Sequence, residues 1–92
     1  MTLDEYLSRP GAESMAEFAR RLGVNQDQVR QWRHSTDGRR PSAGSAVLIE
    51  QATAGDVPVE TLRSDLQWVR KRDKRWPHPN GRPLQDHATE AA

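Results

Sequence analysis

Four side chains within a six-residue span, Gln26, Asp27, Arg30 and Gln31, are the first in this chain whose types and spacing suggest a chemistry. Glutamine can bond an adenine edge in a bidentate manner and arginine a guanine edge, each pairing giving about 1–3 kcal/mol of discrimination against the wrong base. Asp27 has two readings. It could accept from a cytosine amino group, or it could compensate the positive end of a helix in whose first turn it lies. Arg20, Asn25, Arg33, Arg39, Arg40 and Ser42 form a second set suited to phosphate. Arg39 and Arg40 precede a helix start at Ser42, and free N–H groups at such a start bind phosphate. Ordinary solvated loop charge is the alternative for these two. Phosphate contacts set register, whereas base contacts read sequence.

The elements that must hold these groups are legible between Met15 and Trp32. Ser14 and Glu17 have the S-x-x-E spacing that opens a helix. Gly23 falls where the chain must leave that helix, and glycine accepts a positive φ without a Cβ clash. Asn25 can cap the next helix, with Gln28 three residues on as its reciprocal partner. Val29 and Trp32, at i and i+3, share a face that can pack on Phe18, Ala19 and Leu22. Two helices around a tight turn are predicted, a helix-turn-helix over 15–34. Gln26, Asp27, Arg30, Gln31 and Arg33 are left on the outside.

Ninety-two residues suffice for one small domain. Without cysteine there is neither a disulfide nor a thiolate metal site. No apolar run approaches the roughly 18 residues of a membrane span, and the N-terminus lacks a signal-peptide core, so a cytoplasmic protein without a membrane partner is expected. A net charge of +1 excludes indiscriminate polyanion binding. Basic groups are instead local, at 20–21, 30–33, 39–40 and 70–75. His34, His78 and His87 are too dispersed to suggest a metal. No nucleophile–base arrangement and no phosphate-binding glycine loop is found, so neither enzyme activity nor a cofactor is expected.

In chain order, Thr2 and Glu5 open a first helix with Leu3, Tyr6 and Leu7 as its apolar stripe, ended by Pro10-Gly11. Residues 35–41 read as a loop. A fourth helix is expected from Ser42 to Ala54, with Ala46, Ile49 and Ala52/Thr53 at helical spacing and Gly55 after it. A short fifth runs from Pro58 or Val59 to Leu62 or Ser64. Residues 1–66 therefore form one all-α, five-helix domain. Residues 67–92 form a basic tail containing Trp68, Val69 and Trp76, too rich in proline for helix and able to pair as a short β-ribbon with Asn80-Gly81 as its turn. Trp68, Val69 and Trp76 are candidate dimer contacts. An arm along DNA and a plain solvated tail are the other readings. Residues 87–92 are expected to be disordered. Lone Asp and Glu residues read as surface.

The alanine, glycine, valine and tryptophan of the Met15–Trp32 unit fall where phage Cro/CI repressor-like helix-turn-helix proteins place them. Arg40-Pro41-Ser42, Leu48 to Gly55 and Val59 to Leu66 resemble, more specifically, the YdaS/Cro group of small prophage regulators. The resemblance covers about residues 1–66. It implies a lambda-repressor-like fold that binds operator DNA as a homodimer and represses transcription, with some relatives acting as antitoxins of toxin–antitoxin pairs. Two functions follow as expectations: a Cro-like repressor reading half-sites through the major groove with helix 25–34, or an antitoxin that binds a toxin protein and autoregulates through the same motif. A helical adaptor making only protein contacts is a third.

Overall fold

Phe18, Val29, Ile49, Val57 and Val59 are fully buried together, and the helices are the segments that bring them into one core. The computed structural model describes residues 1–34 and 38–85. Five helices, α1 (Leu3–Ser8), α2 (Met15–Leu22), α3 (Gln26–His34), α4 (Ala43–Ala52) and α5 (Val59–Leu62), precede two strands, β1 (Trp68–Lys71) and β2 (Arg82–Gln85). The strands form an antiparallel pair in the register Trp68 to Gln85 and Lys71 to Arg82. The expectations for residues 35–37 and for the terminal residues from His87 lie outside the described residues.

The helix starts follow the capping chemistry. Thr2 and Glu5 exchange both bonds of a capping box, at 3.1 and 2.9 Å. Asn25 and Gln28 do the same ahead of α3, at 2.8 and 3.3 Å. Ser14 accepts from the Glu17 N–H at 3.1 Å, and Ser42 from the Ser45 N–H at 3.2 Å. Each bond satisfies a backbone donor that the first turn leaves without a partner. α2 stops at Gly23, whose φ of 76° turns the chain so that the Val24 N–H reaches the Ala19 carbonyl at 3.0 Å. The turn and α3 then fold back on α2, and Val29 reaches Phe18 and Ala19 in the core.

Two expectations are corrected. α4 ends at Ala52 rather than Ala54. The Thr53 hydroxyl donates to the Ile49 carbonyl (2.8 Å) and accepts from the Val57 N–H (3.1 Å), while Ala54 and Gly55 take positive φ, so the chain leaves the helix early. The strands are real, but Asn80-Gly81 is not a two-residue hairpin turn: residues 72–81 all separate them. Gly81 ends this loop with φ 96° and packs on β1, where a Cβ would lie 2.2 Å from the Lys71 carbonyl oxygen.

Candidate nucleic-acid interface

α3 divides its residues as its spacing requires. Val29 is buried and Trp32 packs half-buried against the core. Gln26, Asp27, Gln28 and Arg30 are exposed, and Gln31 is partly so. Gln28 is held by Asn25 as its capping partner. Asp27 and Arg30, three residues apart, form an ion pair at 2.6 Å with both side chains mostly in solvent. Such an exposed pair is worth about 0–1 kcal/mol, so an outside partner can take either group at little cost. Gln31 accepts from Arg39 at 3.3 Å, linking α3 to the segment before α4.

The six phosphate candidates do not all stand alike. Arg20, in the last turn of α2, is exposed. Asn25 and Ser42 serve as helix caps. Arg33 is turned towards α1: it bonds Asp4 at 2.7 Å and Ser8 at 2.8 Å, and four-fifths of its side chain is covered. The bond from Arg33 holds the Asp4 carboxyl below its ordinary value. Arg40 reaches Asp65 at 3.2 Å. The Asp65 carboxyl is held far below the usual carboxylate range, chiefly by the bonds from Arg63. Arg33, Arg39 and Arg40 converge with Trp32 on a cleft of about 280 Å³ between α1, α3 and α5. Of the four candidate base-reading residues, Gln31 is thus tied to this arginine group, through its bond with Arg39.

The groups that hold the tail to the helices were missed. Glu50 has no exposed surface, which corrects its reading as a surface carboxylate. Its Oε1 accepts from the Val59 N–H (3.1 Å) and Arg70 Nη2 (2.6 Å), and its Oε2 from Arg70 Nη1 (3.0 Å) and Trp76 Nε1 (2.6 Å). Burial pushes the Glu50 carboxyl up, but the bonds from Arg70, Trp76 and Val59 outweigh it and the group ends below its ordinary value. Arg70 also bonds Glu60 (2.7 Å) and the Gly81 carbonyl (2.8 Å), so one guanidinium joins α4, α5, β1 and the end of the loop that leads into β2. Of the candidate dimer contacts, Trp76 spends its indole N–H on Glu50 and Trp68 donates to the Arg63 carbonyl at 3.0 Å. Val69 stays exposed. A signal for Glu50 was present: it shares the i, i+3, i+4, i+7 stripe of Ala46, Ile49 and Thr53, where a lone charge needs a buried partner.

The sequence model of the family described as Bacterial toxin YdaS matches residues 11–71, about two-thirds of the chain. The chain belongs to that family. No curated protein and no solved structure matches it. Among the described residues, no helix is long and apolar enough to cross a membrane, and no cluster of His, Asp and Glu is placed to hold a metal ion.

Proposed function

We propose, proceeding from membership of the YdaS family, that the chain is a sequence-specific DNA-binding regulator of the Cro type. In this reading α2, the turn at Gly23 and α3 are a helix-turn-helix, and α3 lies in the major groove with its N-terminal residues at the base edges. The observation that carries the proposal is the division of α3: Val29 and Trp32 point into the fold, while Gln26, Asp27 and Arg30 are left to solvent. Gln26, Arg30 and Gln31 read bases. Asp27 pairs with Arg30 until guanine replaces it, or accepts from cytosine itself. Arg20, Asn25, Arg39, Arg40 and Ser42 contact phosphate, and Arg33 reaches one only by leaving Asp4. The protein acts as a homodimer, because one recognition helix covers too few base pairs for a useful specificity ratio; it works in the cytoplasm and is not an enzyme.

The test is binding to labelled duplexes across a salt series. Specific binding should weaken steeply with salt, with a slope reporting the phosphates neutralised. Binding that ignores both salt and duplex sequence contradicts the reading. The family's description as a toxin favours a second reading, in which the chain works within a toxin–antitoxin pair through a protein partner. Growth arrest on expression that persists after Gln26→Ala/Arg30→Ala replacement would favour that reading.

A further inference from the structure

We infer that the outward face of α4 is where two copies of this chain pack, antiparallel, across a two-fold axis beside Val47 and Leu48. The inference gives a surface to the homodimer of the preceding section and rests on that reading for its biological use.

Among the helices described, α4 is the one of eight residues or more whose outer side carries no charge. Its single ionisable residue, Glu50, is buried, and Ala46, Ile49, Glu50 and Thr53 face the core. The opposite stripe, Gly44, Val47, Leu48 and Gln51, follows the same i, i+3, i+4, i+7 spacing and carries no charge, in a chain of which 29% is charged. Val47 is half-buried, with part of its side chain packed on the core, whereas Gly44, Leu48 and Gln51 are exposed. Leu48 is 49% exposed, the most of any large hydrophobic residue in the described structure. Leu48 stands between two hollows. One, of about 360 Å³, is lined by Arg21, Leu22, Gln51 and Ala52. The other, of about 420 Å³, lies between the N-terminal half of α4 and the hairpin, against Trp68 and Leu84.

Three features favour a second copy as the occupant. An isologous interface needs projection and hollow on the same patch, and this face has both. The spacing of the stripe is also unchanged by reversal, with an apolar side chain at each of its two central positions. Antiparallel about the point between positions 47 and 48, Val47 meets the other copy's Leu48, and Gln51 meets its Gly44. A Cβ on Gly44 would touch nothing within 4 Å, so the space over it is open to that amide. Charge is the third feature. No charge sits at the axis to repel its own copy, and the rim cations are already paired, Arg21 with Glu13 and Arg82 with Asp73. An acidic or basic partner would find no complement here. Charge depletion at the centre is also the compositional mark of interface cores. Ten residues of helix span about 15 Å. That seam, with the hairpin rim, stands at the small end of specific interfaces, and a concentration-dependent dimer is expected.

The test is sedimentation equilibrium of the full chain without DNA, for wild type, Leu48→Glu and Val69→Glu. Expected are a concentration-dependent wild-type dimer, at least a tenfold weaker one for Leu48→Glu with an unchanged thermal midpoint, and no change for Val69→Glu. Because the chain has no cysteine, Leu48→Cys alone should oxidise to a disulfide dimer, and Ser64→Cys, exposed on another side, should not. A wild-type monomer at every concentration overturns the inference. So does a dimer lost with Val69→Glu and kept with Leu48→Glu, or a Leu48→Cys thiol protected only when a different protein is added. Duplex binding separates the two claims. If Leu48→Glu is monomeric but keeps its sequence preference on a half-site, both stand. If the dimer behaves as expected and no duplex is preferred, only the DNA reading fails.

Discussion

Replacing Arg70 by methionine removes a guanidinium and keeps most of its aliphatic stem, which isolates the charge at the centre of the fold. In the wild type Glu50 is fully buried and the Arg70 side chain is 10% exposed, with two bonds between them at 2.6 and 3.0 Å. Without Arg70, Glu50 retains only the Val59 and Trp76 N–H groups. Breaking one partner of a buried pair costs about 3–5 kcal/mol, because an uncompensated charge stays inside. The Glu60 contact adds little, since half of that side chain is in solvent. Against a total of about 5–15 kcal/mol for such a domain, the loss is a large fraction and should lower the thermal midpoint by at least about 12 °C. Urea titration at several pH values measures it. The sign of the pH response is the sharper readout. In the wild type the folded Glu50 and Glu60 values lie below their ordinary 4.5. Their contribution is therefore complete above that pH and is lost as pH falls through the folded values. In Arg70→Met burial dominates and raises Glu50, so the variant should gain stability between about pH 7 and 5, where the wild type is flat. Adding Glu50→Gln should recover part of the loss and abolish that gain. A cost below about 1 kcal/mol, or no coupling between the two substitutions, refutes the reasoning.

Other consequences follow from single contacts. Trp76→Phe removes a hydrogen bond to a charged acceptor and should cost about 1.5–3 kcal/mol in chemical denaturation; a neutral effect would mean that the loop is not anchored at Glu50. Gly81→Ala places a Cβ on the Lys71 carbonyl in a left-handed conformation; amide exchange should show β1 and β2 losing protection while α2 and α3 keep theirs, and unchanged strand protection contradicts this. Asp27→Asn removes the ion-pair partner of Arg30 without shortening the side chain; duplex binding should tighten at low salt, because Arg30 is released and a carboxylate facing the polyanion is lost, and an unchanged affinity would mean that this end of α3 does not approach the DNA.

How much of this was legible in the sequence follows from where each interaction lies along the chain. Thr2 with Glu5, Asn25 with Gln28 and the turn at Gly23 are local, completed within a few residues, and they placed the first three helices. The stripe of Val29 and Trp32 told which side of α3 stays out, because helical periodicity fixes it. Arg70 and Trp76 lie 20 and 26 residues beyond Glu50 in sequence, and no local rule pairs them with it. Arg70 accordingly read as one more member of a basic run, when it is the residue that docks the hairpin. Likewise Arg33 looked like its neighbours until α1 supplied Asp4, 29 positions away. The shortening of α4 depends on Thr53 bonding back to its own helix and forward to Val57, a choice made by burial rather than propensity. The strands showed through β-forming residues flanking a proline-rich stretch, but the position of Gly81 against Lys71 is a tertiary contact that the Asn80-Gly81 dipeptide does not announce.

The central claim is that α3 reads base pairs. Selection of duplexes from a random pool by the purified chain, run beside Gln26→Ala/Arg30→Ala, tests it most directly. The account predicts an inverted repeat with half-site centres about one turn, or 34 Å, apart for the wild type, and loss of preference at one or two positions per half-site for the variant. A wild-type pool without enriched sequence, or the same motif recovered with equal strength by both proteins, would contradict it.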